Sequence, residues 1–119
     1  MNNGPAAVSA IDAVTAFTAA WDAHDLEGTL ALVTDDCVFE SARPGAMGAR
    51  VVGRAALRDA WKASFTNSSG EFEVEDTIVA GDRVVQLWRF VDDARVVRGV
   101  DVLRVRDGLV AEKFGYVKI

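Results

Sequence analysis

At Gly70 the hydrophobic period of the chain changes from that of a helix to that of a strand, and this switch limits the fold more than any other feature. Before it, Ala10, Val14, Phe17 and Trp21 recur at helical spacing, with Ser9 and Asp12 in a capping arrangement. These residues predict a helix at about 10–23. His24-Asp25 ends it, and Asp25 is placed to cap a short second helix over roughly 26–33. Residues 37–40 then read as a brief strand, and 41–48, with Pro44, Gly45 and Gly48, as a loop. Gly53 opens a third helix with Leu57, Trp61 and Phe65 on one stripe.

After Gly70, Phe72, Val74 and Ile78 alternate with Glu71, Glu73 and Glu75. Turns at Gly81-Asp82, Asp92-Asp93 and Asp107-Gly108 separate strands expected at 84–90, 95–106 and 109–118. Short turns between alternating strands make an antiparallel meander. Helices first and sheet afterwards is the α+β arrangement, in which helices cover one face of the sheet.

The rest of the sequence excludes several classes of function. A length of 119 residues suits a single domain over 1–119, with residues 1–7 expected as a flexible tail. The net charge is −5 and no basic cluster is present, so neither nucleic acid nor an anionic membrane is an expected partner. No apolar run approaches the roughly 18–20 residues that span a bilayer. One cysteine, Cys37, and one histidine, His24, cannot build a zinc cluster, so no metal is expected. Gly45-Ala-Met-Gly48 lacks the ending of a phosphate loop, and no organic cofactor is expected either. The start of the chain lacks a basic n-region, which points to a cytoplasmic protein.

The last hairpin admits two registers. A two-residue turn at Asp107-Gly108 pairs Val105 with Val110 and sets Asp101 opposite Phe114. A three-residue turn with Gly108 in a bulge pairs Val105 with Leu109 and Asp101 with Lys113. The second is preferred because it gives opposite charges a cross-strand partner. It places an acid, a base and two glycines, Gly99 and Gly115, on an otherwise apolar face. If the helices cover that face, Phe17, Trp21, Phe39, Trp61, Gln86, Trp88 and Phe90 line the enclosed space. Large aromatics around a few polar groups make up a small-molecule pocket, and the same residues also suit a filled core.

Four segments carry a family resemblance: Trp21-Asp-Ala-His-Asp-Leu-Glu-Gly28, Thr34-Asp-Asp-Cys-Val-Phe-Glu40, Gly53-Arg-Ala-Ala-Leu57 and Gly99-Val-Asp-Val-Leu-Arg-Val-Arg-Asp-Gly108. In order and spacing the chain resembles the nuclear transport factor 2-like superfamily over about residues 8–118, nearest its SnoaL-like branch. The resemblance implies a cone-shaped, curved antiparallel sheet wrapped around a deep pocket covered by about three N-terminal helices. It also implies a homodimer through the outer sheet face, here the side of Val100, Val102, Phe114 and Tyr116. The ketosteroid isomerase pattern of tyrosine, general base and protonated aspartate falls at Phe17, Ser41 and Asp101, so only the last is kept. The final-strand aspartate of the polyketide cyclases and limonene epoxide hydrolases falls at Gly115.

Asp101 is the first candidate for catalysis, as a general acid or base, because a carboxylate on an apolar face is desolvated. Lys113 is the second, and the two together read equally as a structural ion pair. Glu40 follows Phe39 and points to the opposite face, His24 suits a helix end, and Cys37 reads as a small buried hydrophobe. The expected function is binding of a small, mostly apolar molecule, with cofactor-free proton transfer of the isomerase, cyclase or hydrolase type at Asp101. The alternative is a non-catalytic ligand-binding or dimerisation module held by the Asp101–Lys113 pair.

Overall fold

The computed structural model describes residues 8–42, 48–67 and 69–118. The expected tail at 1–7 and most of the expected loop at 41–48 lie outside these residues. The element order is α1 (Ala10–Asp22), α2 (Leu26–Leu30), β1 (Val33–Glu40), β2 (Arg50–Val52), α3 (Arg54–Asn67), β3 (Glu71–Ala80), β4 (Arg83–Val91), β5 (Val96–Arg106) and β6 (Leu109–Val117). Both expected caps form. Ser9 Oγ accepts from the Asp12 amide at 3.2 Å, and Asp25 Oδ1 accepts from Gly28 N at 2.9 Å. His24 closes α1 with a φ of 52°, its amide donating to Trp21 O and its ring stacked on Phe65.

The strands form one curved, unclosed sheet in the order β2-β1-β6-β5-β4-β3. The meander β3–β6 and the β1–β2 pair are antiparallel, but β1 runs parallel to β6, so the sheet is mixed. Parallel partners are joined by long connections with no local turn signal, so the sequence carries no mark of this pairing. The α2 helix is shorter than expected and β1 starts earlier. Val33 already pairs with Val110, and the Val110 amide donates to Leu32 O at 2.9 Å.

Two bulges correct the expected registers. At the last hairpin the turn is the two-residue one, with Asp107 at φ 55° and Gly108 at φ 75°, a primed turn matched to strand twist. It pairs Arg106 with Leu109 and Val105 with Val110, not Val105 with Leu109. Ala111 is then an extra residue, since Arg104 pairs with Glu112. The bulge turns the following residues over, so Asp101 lies opposite Gly115 and Lys113 opposite Leu103. In β3 the extra residue is Glu75, between the Val74–Trp88 and Asp76–Leu87 pairs. Ile78 therefore sits beside Val85 on the opposite face from Phe72 and Val74, against the simple alternation.

The helices pack on the face carrying Val84, Leu103, Val105 and Val110. Phe17 of α1 and Leu57 and Trp61 of α3 are fully buried against it. Trp61 meets Phe17, Trp21 and Phe39 edge-on, with centroids at 5.9, 5.3 and 5.7 Å. The hydrophobic stripes read from the sequence are thus the ones that close the core.

Candidate functional site

Between α1, the sheet and the end of β1 lies a cavity of about 190 Å³. Five of the expected aromatic and polar wall residues border it together: Phe17, Trp21, Phe39, Gln86 and Trp88. Asp101, Lys113 and Gly115 share that wall. Trp61 and Phe90 do not border it. Trp61 stands behind the wall in the packed aromatic group, and Phe90 packs on Phe72 at 4.8 Å, close over Gly70.

The sheet aligns the polar groups. Gln86, Asp101 and Gly115 are cross-strand neighbours on β4, β5 and β6. Lys113 is diagonal to Asp101, within the reach of a long side chain, and its Nζ lies 3.2 Å from Asp101 Oδ2. Both side chains are largely buried, 11% and 15% exposed, so this is an enclosed ion pair rather than a surface one. The ammonium also lies 4.5 Å from the Trp21 ring centroid and 5.2 Å from that of Phe39. Phe39 reaches it because the parallel β1–β6 pair sets Phe39 next to Lys113. At the other end of the row Gln86 donates from Nε2 to Thr18 Oγ1 at 3.2 Å.

Trp88 lies across Gly99, its cross-strand neighbour, and a Cβ there would come within 2.4 Å of both the indole and the Tyr116 carbonyl oxygen. The glycine is what lets the indole pack this close to the backbone of β5. Phe72 meets Trp88 edge-on at 5.2 Å.

Four wall residues were not singled out from the sequence, Thr18, Asp22, Ser64 and Val74, while Ser41, at the position of the isomerase base, and Ala42 beside it also line the wall. Thr18 and Asp22 were open to detection, because each follows an expected wall aromatic on α1 and the two are one helical turn apart. Burial raises the Asp22 carboxyl above the usual carboxylate range, and the charge of nearby His24 opposes this. Glu40, expected on the face opposite Phe39, borders the cavity along with it, and its carboxylate is held by Arg50 on β2.

Cys37 is fully buried, and burial pushes its thiol from an ordinary 9.0 up to about 12, with the Asp36 charge adding to the rise. The native thiol is therefore expected to resist iodoacetamide at pH 8 and to react once the chain is unfolded in urea. Because the folded value is the higher one, the thiol's contribution to stability is intact below about 9 and is lost as pH climbs toward about 12. Mass spectrometry of alkylated native and denatured protein checks the first point. Rapid native labelling would show that Cys37 is reachable.

Three helices on one face of an open mixed sheet, with a charged pair set in an aromatic cavity between them, define a small α+β pocket protein. The chain belongs to the SnoaL-like domain family, whose pattern matches residues 14–113. It is similar in structure to an NTF2-like protein of unknown function from Mesorhizobium loti. The two are 37% identical over 92% of this chain and 91% of that one, with a TM-score of 0.81. A computationally designed 17-OHP binder shares the fold at 24% identity, covering 93% of this chain and 95% of its own, with a TM-score of 0.78. A Kribbella flavida protein provisionally described as a ketosteroid isomerase shares it at 18% identity, covering 92% and 78%, with a TM-score of 0.76. No curated protein matches the chain.

Proposed function

We propose that this protein binds a small, mostly apolar molecule in the aromatic cavity and moves a proton on it with Asp101. The observation that carries the reading is the enclosed Asp101–Lys113 pair on the cavity wall. A carboxylate there is positioned to take a proton from a bound carbon or oxygen atom and, once protonated, to return it at another. The ammonium 3.2 Å away would stabilise negative charge as it develops on the ligand. The aromatic wall would exclude water and hold the rings of the ligand. The likeness to the designed 17-OHP binder and to the Kribbella flavida protein supports ligand binding by this fold. The reaction itself is argued from the wall residues, since fold does not fix activity.

One observation favours the non-catalytic alternative. Lys113 is already engaged by Asp101 and two aromatic rings, an arrangement that also serves as a purely structural tie. A thermal-shift screen of wild type and Asp101→Asn against cyclic ketones, phenols, terpenes and steroids separates the two. A ligand at about 100 times its dissociation constant adds roughly 2.7 kcal/mol of stability. A wild-type shift that shrinks in Asp101→Asn, with turnover lost in the same variant, is the expected result. Stabilisation that is identical in both proteins would leave Asp101 as a structural residue only.

The proposal extends to a homodimer through the outer face of the sheet, in the cytoplasm. Tyr116, Ile78 and Val96 are exposed large hydrophobics, and Tyr116 lies on that outer face beside Val100. Light scattering on the purified protein measures the mass directly.

A further inference from the structure

On the ligand-binding reading above, we infer that the ligand carries an ammonium group on a short chain, seated in a second cavity between the C-terminal ends of α1 and α3 and the start of β3. This cavity has a volume of about 500 Å³. Trp21, Asp22, Ser64 and Phe72 border both it and the inner cavity, so the two adjoin across these side chains. A molecule whose apolar end occupies the inner cavity can therefore extend its other end past them.

The lining selects the group that sits there. Two carboxylates line the outer cavity, Asp22 from α1 and Glu71 from β3. Among the described residues Glu71 has no ion-pair partner, whereas Glu27, Glu40, Glu73, Glu75 and Glu112 each lie within ion-pair distance of an arginine. Neither lysine nor arginine is among the described residues of this lining, and its base is His24, stacked on Phe65. The rings of Trp21, Phe65 and Phe72 also line it, and the first two meet edge-on at 5.0 Å. Rings beside carboxylates are the surroundings that hold an alkylammonium group, through cation–π attraction and opposite charge together. Trp21 already takes one ammonium in this way, that of Lys113 at 4.5 Å, and Asp101 neutralises that charge. A cation in the outer cavity would also offset the burial that raises the Asp22 carboxyl. An anion there would meet both carboxylates, and a neutral group would leave them unpaired.

The test compares 4-phenylbutylamine, 4-phenylbutan-1-ol and 4-phenylbutyrate, which differ only in the group at the end of the chain. Binding is followed by tryptophan fluorescence in low-salt buffer, since Trp21 borders both cavities. Wild type is expected to bind the amine at least about tenfold more tightly than the carboxylate, with the alcohol between them. In Asp22→Asn/Glu71→Gln this preference should fall below about twofold while binding of the alcohol is unchanged. Asp59→Asn/Asp107→Asn removes the same charge outside the cavity and should keep the wild-type preference. All four positions are exposed, so both variants are expected to fold. Equal binding of amine and carboxylate by wild type, or a preference that survives Asp22→Asn/Glu71→Gln, would overturn the ammonium seat and leave the ligand-binding reading standing. A preference lost equally in Asp59→Asn/Asp107→Asn would assign it to net charge and overturn the seat as well. Binding of none of the three would overturn both readings.

Discussion

Trp61→Ala is expected to lose about 3–5 kcal/mol of stability in urea denaturation, the range for removing a large buried aromatic. Trp61 is only 1% exposed and touches the rings of Phe17, Trp21 and Phe39, so three elements meet on it. A cavity there would undercut α1 and β1 together. With typical domains stable by about 5–15 kcal/mol, such a loss takes a large share of the total. Trp61→Phe should recover much of it and leave ligand binding in place, because Trp61 backs the cavity wall without bordering it. A loss below about 1.5 kcal/mol for the alanine variant would mean that the helices settle onto the sheet without this ring, and the buried aromatic group would not be the anchor of the fold.

Lys113→Met carries the second large effect, a loss of about 3–5 kcal/mol, from leaving the Asp101 charge buried without its partner. Methionine keeps most of the side-chain volume, so packing contributes little to the change. The double variant Lys113→Met/Asp101→Leu should regain most of the loss, because neither charge is then desolvated. A double-mutant cycle in denaturant gives the coupling between the two positions. Near-zero coupling would show that the pair is loose. The stability measurement also bears on function. A strongly coupled pair whose removal leaves ligand binding unchanged is a structural tie, whereas coupling that changes when ligand is present joins the pair to the site.

The local elements were legible because their signals are local. Ser9 and Asp25 are caps wherever the chain goes afterwards, and Asp107-Gly108 turns a hairpin by its own backbone preferences. The shared face of Asp101 and Lys113 was also legible, yet the pairing behind it was not. The expected three-residue turn put the two residues directly opposite. The bulge at Ala111 reaches the same face by another route and makes the contact diagonal. A bulge is one residue in a run that still alternates, so periodicity cannot reveal it. The Glu75 bulge shifted Ile78 for the same reason.

By itself the sequence determined the helix stripes, the order of the helices and of every strand except the short β2 (Arg50–Val52), which it did not mark, the meander, and the chemical make-up of the buried face. Each follows from periodicity, capping or turn chemistry over a few residues. Only the tertiary structure decided that β1 lies parallel to β6, which brings Phe39 beneath the Lys113 ammonium. It also decided that Trp88 borders the cavity while Trp61 and Phe90 do not, and that Gly115 packs closely against Asp101 and Ala42. These are matters of distance between segments far apart in the chain, set by how rings and strands fill one volume together.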